Sequence, residues 1–211
     1  MLAEFKTFDA EIGACRALRQ HALDNAPDNQ TRQLIYESIV IRLARAQEQF
    51  IEQVFLSYMT GESTVDGDQV PCFVNPRDRD HARQLLTVTG AKFLDWSTGA
   101  EIRKRCQTFF GPDTPIDTGS IGTADSMSWL KSIRNQAAHD SVESRLGFMK
   151  VLEHVLLVAP SPIPSAGEFL QMTPTSGPVP RREVLAFLIE RSRSFALVAA
   201  GHSERAELDA A

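Results

Sequence analysis

The sequence predicts an all-α fold, an antiparallel bundle of four to six helices with irregular connections. Three observations lead there. Apolar residues recur at the 3.6-residue period over long stretches, Asn29 to Met59 above all. Runs of alternating apolar and polar residues that would mark strands are few. Gly- and Pro-rich stretches punctuate the chain at intervals that suit helix–helix connections.

The first helix is expected over Phe8 to Asp24, capped by Thr7 or Asp9, with Ile12, Leu18 and Leu23 on its apolar side. The run Asn25-Ala26-Pro27-Asp28-Asn29 breaks it. The longest helix follows, Asn29 to Met59, ended by Gly61. At about 100° per residue, Leu43, Ala46, Phe50, Val54 and Tyr58 cover one side. Ala44, Ile51 and Phe55 extend that arc round to Ile41, and Arg42, Arg45, Gln49, Glu52 and Gln53 fill the polar face. Such a helix is buried over more than half its circumference. Glu48 falls inside the apolar arc. A carboxylate there either reaches solvent at the boundary or orients an Arg or His from another helix, because a buried charge requires a partner.

From Gly61 to Asn75 the chain is rich in turn residues, with Val70 to Val74 expected as a short extended piece. Two shorter helices are expected at Arg77 to Thr87 and Gly99 to Phe110, separated by the run GAKFLDWSTG. Gly111 to Pro115 reads as a stop. A further helix begins near Thr123 or Asp125, either of which is a good N-cap, and runs at least to His139. Met149 to Val158 is apolar at helical spacing, with Leu146 leading in. Residues 159–180 hold six of the eleven prolines, so they are expected as an irregular excursion with a short strand at Phe169 to Met172. The last helix, Pro180 to Ala200, carries Val184, Leu185, Leu188, Phe195 and Leu197 as core positions, and the tail after it is expected to fray. The whole chain is read as one domain, its core over about 8–158.

With 211 residues, 43% hydrophobic and 23% charged, the composition is that of a globular protein with a proper core. The formal charge of −5 argues against a protein that wraps nucleic acid non-specifically, which requires many phosphates to be neutralised. A local basic cleft for RNA is compatible with it. Cys15, Cys72 and Cys106 are odd in number and lack CxxC spacing, so reduced thiols are expected rather than a disulfide framework or zinc site. His21, His81, His154 and His202 lack metal-ligand spacing, and Asp78 and Asp80 sit in a charged surface run. No metal and no cofactor are expected. The N-terminal run has early Glu4 and no apolar signal core, and no stretch is long enough to span a bilayer, so the expected location is the cytoplasm, off the membrane.

One run carries chemistry: Ile133-Arg134-Asn135-Gln136-Ala137-Ala138-His139. The helix bearing it has a core face of Trp129, Leu130, Ile133 and Ala137. Lys131, Arg134, Asn135, Ala138 and His139 lie on a second, polar arc about 140° wide. Arg and His together suffice for RNA cleavage without a metal. Imidazole titrates near neutrality and moves the 2′-OH and 5′-oxygen protons. Guanidinium supplies fixed charge and forked donors to the phosphorane oxygens. Lys131 would help to bind the substrate phosphates, and Asn135 would hydrogen-bond a phosphate or hold a neighbour. Residues five apart are splayed on one helix, so two copies across a two-fold axis would be needed to gather two Arg and two His around one phosphate. The competing reading of the same residues is a solvated helix face whose terminal His suits the macrodipole.

The run resembles the signature of the HEPN superfamily: Arg134, the polar Asn135, a three-residue spacer, then His139. The long early helix, SIVIRLARAQEQFIEQVF, is similar to the HEPN helix that carries an acidic residue, here Glu48. The layout is similar to HEPN domains of the RiboL-PSP type over roughly Thr31 to Val158. The resemblance implies a helical bundle, a homodimer and RNA cleavage at the dyad, with Arg134 and His139 catalytic and Asn135 and Glu48 supporting. It also implies a toxin of a toxin–antitoxin or phage-defence system, with an antitoxin or partner protein. Some HEPN toxins carry a modified Tyr two residues after the His; this chain has Ser141 there. Two other readings stand beside the nuclease. One is a non-catalytic HEPN module that dimerises or binds RNA for a partner protein. The other is a helical small-molecule binder using Glu48 and Trp129.

Overall fold

The computed structural model describes residues 1–87, 94–139, 141–179 and 181–202. Among them it has nine α-helices and no strand. They are α1 (Leu2–Asn25), α2 (Asn29–Met59), α3 (Arg79–Thr87), α4 (Gly99–Phe109), α5 (Pro115–Gly122), α6 (Ala124–Ala138), α7 (Val142–Leu156), α8 (Ala166–Gln171) and α9 (Val184–Ala199). The all-α class expected from the sequence is the class observed. The helices outnumber the four to six expected, and α5 and α8 are the two not foreseen.

Each has a local cause. Pro115 does not stop a helix; it starts one. It occupies the first turn of α5, where its missing N–H costs nothing, and Thr114 caps the turn by accepting from the Asp117 N–H. In α8, Ser165 and Glu168 form a reciprocal capping box, so Phe169 to Met172 is not a strand: Phe169, Leu170 and Gln171 are helical and Met172 is the C-cap. Val70 to Val74 is likewise not paired as a strand; its Phe73 N–H instead donates to the Phe109 carbonyl at the end of α4. α1 begins six residues earlier than expected, since Thr7 does not cap: its hydroxyl donates back to the Ala3 carbonyl inside the helix. Part of the GAKFLDWSTG run, Pro180 and the tail from Ser203 lie outside the described residues.

The chain divides into two compact units. The first comprises Met1–Asp9, Ala46–Met127 and Ser192–Ala211. Its core is aromatic. Phe8 stacks on Phe50 at 4.8 Å, Phe50 meets Phe195 edge-on, and Phe55 packs against Trp96, Phe109 and Phe110. The buried Tyr58 hydroxyl is satisfied by donating to the Ala199 carbonyl. Arg79 is the polar hub, donating to Glu4, Gln53, Ser57 and Glu62 at 2.6–3.1 Å. α4 and α5 approach closely at Gly99, where a Cβ would stand 2.9 Å from the Ser120 carbonyl oxygen.

The second unit comprises Ala10–Arg45 and Ser128–Arg191. Here α1 and α9 run in opposite senses, as the ion pairs Arg16–Glu190 and Arg19–Glu183 show. The Arg19–Glu183 pair is bidentate, at 2.6 and 2.9 Å, and the Tyr36 hydroxyl donates to the same carboxylate. α8 lies on α2 through Gly167, whose N–H donates to Glu37. A Cβ at Gly167 would fall 2.6 Å from Gln33 Cβ and 2.7 Å from its carbonyl oxygen. Phe169 of α8 meets Phe148 of α7 edge-on.

The α2 arc Leu43, Ala44, Ala46, Phe50, Ile51, Val54, Phe55 and Tyr58 is buried as its period predicts. Ile41, at the edge of that arc, is 37% exposed, as is Leu23 on α1. All five expected core residues of α9 are buried. No helix among the described residues is long and apolar enough to cross a membrane.

Candidate functional site

α6 follows α5 with a single residue between them. Thr123 ends α5, its hydroxyl donating to the Gly119 carbonyl, and its own carbonyl accepts the first α6 bond from Met127. Trp129, Leu130 and Ile133 are buried as expected, and Ala137 is half-buried. Trp129 lies 5.4 Å from the His154 ring of α7 and 6.0 Å from Phe187 of α9. It is a packing residue of the second unit.

The other arc of α6 holds the candidate residues. Lys131, Arg134 and Asn135 are half-buried and share one stripe, since positions three and four apart are helix neighbours. His139 is exposed and stands just past the last helical residue. Its N–H closes the final turn on the Asn135 carbonyl at 2.9 Å. So Asn135 serves the motif twice, with its side chain on the stripe and its carbonyl as the anchor for His139. Glu48 is half-buried on α2 and belongs to the first unit, whereas the other four belong to the second. None of Glu48, Lys131 and Arg134 is without a partner.

One residue near the motif was not singled out from the sequence. The Ser144 hydroxyl donates to the His139 carbonyl at 2.8 Å, while Ser141 and Ser144 cap the start of α7 reciprocally. The spacing Ser141-Val142-Glu143-Ser144, directly after the motif, is the signal that could have found it. The backbone of His139 is therefore gripped from both helices that flank it.

Elsewhere the ionisable groups are structural. Burial pushes the thiol of Cys15 up to about 11 and that of Cys106 up to about 12, and it raises Cys72 as well. Such thiols are poor nucleophiles near neutrality. Asp78 caps α3 by accepting from the His81 N–H, and His81 Nδ1 accepts from the Arg77 N–H. Among the described residues no group of three or more His, Cys, Asp or Glu is placed to hold a metal ion.

No family model, curated protein or solved structure matches the chain.

Chemically, the α6 stripe offers one guanidinium, one ammonium and one amide on neighbouring turns, with one solvent-open imidazole at the helix end. Groups of these types are chemically capable of binding a phosphodiester and moving a proton.

Proposed function

We propose that the chain is a metal-independent endoribonuclease of the HEPN kind, of the toxin or defence type, acting in the cytoplasm as a homodimer with a composite Arg134/His139 site. The reading rests on one observation: a half-buried Arg134 and an exposed His139 bracket the last turn of α6, with half-buried Lys131 and Asn135 on the arc between them. Half-burial restrains a guanidinium and strengthens its hold on phosphate. Exposure leaves the imidazole free to exchange protons with substrate and solvent. Each copy supplies one of each, and two copies supply both the acid and the base that transfer to the 2′-oxygen requires. The HEPN resemblance assigns Glu48 a supporting role.

The test is incubation of purified protein with RNA in EDTA. Cleavage leaving 2′,3′-cyclic phosphate ends is expected, lost in both His139→Ala and Arg134→Ala. Undiminished cutting by both variants refutes the assignment. RNA binding with no cleavage by the wild type assigns the chain instead as a binding or dimerising module for a partner protein.

A further inference from the structure

α6 packs against α7 along one stripe. Trp129 meets the His154 ring at 5.4 Å, a Cβ on Gly147 would stand 3.7 Å from Ser132 Oγ, and the His139 carbonyl accepts from Ser144 at 2.8 Å. Trp129, Ser132 and His139 recur at helical spacing, and Gln136 fills the one step missing between them. Gln136 therefore lies on the stripe that faces α7, one turn before His139.

Its amide is unfinished. Gln136 is half-buried, and its Oε1 is sealed from solvent with no hydrogen-bond partner among the described residues. Such an orphaned oxygen costs its desolvation and is uncommon in a folded interior, where an apolar side chain of the same shape would be more stable. The hydroxyls nearby do not serve it. Ser144 donates to the His139 and Ser141 carbonyls, and Ser132 Oγ lies toward Gly147. Of the donors on this stripe, that leaves the imidazole of His139. It is exposed and, three residues on, is a helix neighbour of Gln136. The last torsion of a glutamine side chain is soft, so the amide swings its oxygen to the ring at small cost and gains the bond it lacks.

We propose that Gln136 is the positioning residue of His139: its Oε1 accepts the Nδ1–H of the imidazole and so fixes the tautomer whose Nε2 lone pair is open to substrate. A neutral imidazole carries its proton on either nitrogen, and the hydrogen bond made by one nitrogen decides which. An amide is an uncharged acceptor. It selects the tautomer without the pull of a carboxylate, and the ring stays able both to take a proton and to return it. The inference rests on the nuclease reading for what the ring then does, whereas the tautomer is a property of the protein alone.

Nitrogen NMR of the imidazole in the isotope-labelled full chain, at about pH 8 where imidazole is neutral, tests it. The His139 signals are assigned by their loss in His139→Ala. The wild type should carry the proton on Nδ1. Gln136→Leu should move it to Nε2, and Gln136→Glu, which keeps an acceptor of the same reach, should hold it on Nδ1. In Gln136→Leu kcat for RNA cleavage should fall by roughly tenfold to a hundredfold with KM little changed, and in Gln136→Glu it should stay within about threefold. Gln136→Leu deletes an unsatisfied oxygen, so it should fold at least as stably as the wild type, and its lost activity is not lost structure. A proton on Nε2 in the wild type, or one tautomer shared by the wild type and Gln136→Leu, overturns the proposal. A tautomer that responds as expected in a protein that cuts no RNA upholds the Gln136–His139 contact and refutes the nuclease reading instead.

Discussion

The Ser144 hydroxyl donates to the carbonyl oxygen of His139 at 2.8 Å, so the first turn of α7 holds the residue just past the end of α6. Ser144 also accepts from the Ser141 N–H, and its own N–H donates to Ser141. Ser144→Ala removes one arm of the capping box and the grip on His139 together, leaving the Ser144 N–H on Ser141. It should cost about 1 kcal/mol, read as a lowered midpoint in urea. RNA cleavage should fall more than stability does, because a mispositioned imidazole is penalised steeply. Unchanged cleavage in a destabilised protein would show that the His139 backbone is not what positions the ring.

Within the nuclease reading, Arg134→Lys separates charge from shape. Lys keeps the positive charge and loses the forked donors. Cleavage should drop by roughly 10²-fold, close to the effect of Arg134→Ala, if the guanidinium grips phosphate oxygens in the transition state. Activity retained within a factor of two would mean that Arg134 supplies charge alone.

Glu183 gathers two groups of the second unit, accepting from Arg19 and from the Tyr36 hydroxyl. Glu183→Ala strands both, each of them largely screened from solvent. A loss of about 2 kcal/mol is expected by chemical denaturation. Burial, then the nearby Glu183 charge, pushes the Tyr36 phenol up to about 12. Ultraviolet titration should therefore show its ionisation well after that of an ordinary tyrosine.

Gly167 is a contact residue rather than a hinge. A methyl group there would meet both the side chain and the backbone of Gln33. Gly167→Ala should destabilise by about 2 kcal/mol, because α8 must lift from α2. Gly13, with nothing within 4 Å of its Cβ position, is the control, and Gly13→Ala in α1 should stabilise slightly.

Acid sensitivity should trace to Glu62. Burial pulls its carboxyl up, but hydrogen bonds from the Met1 ammonium and Arg79 outweigh that and hold it at about 2. The folded value lies below that of an unfolded glutamate, about 4.3. The stabilisation is thus complete above about pH 4.3 and is lost as pH falls toward 2. Glu62→Gln should lower the melting temperature at pH 6 and leave it nearly unchanged at pH 2. An equal loss at both pH values would assign the effect to packing.

The fold was legible where period and burial agree. The α2 arc and the five α9 core residues read correctly because an amphipathic helix needs nothing beyond its own sequence to declare its inner face. Ile41 did not, since arc edges are decided by what the neighbouring helix covers. α5 was missed because a proline cluster was read as a stop, although Thr114-Pro115 is as good a helix opening as exists. The strand expected at Phe169 to Met172 leaves the Ser165–Glu168 capping box out of account, and that box is what starts α8. At the candidate site, the shared stripe of Lys131, Arg134 and Asn135 follows from spacing alone. The anchoring of His139 by Ser144 does not, because it depends on the turn between α6 and α7.

α1, α2, α6 and α9 each contribute residues to both compact units, and the first unit is assembled from three separate stretches of chain. Phe195 and Ala199, which meet Phe50 and Tyr58 respectively, come from the last of those stretches. On a ribosome the first unit therefore stays without part of its core until the stretch that begins at Ser192 has been made. Nascent chains stalled before Ser192 should be digested rapidly by protease, and resistance should set in once the stretch beyond it has left the ribosome.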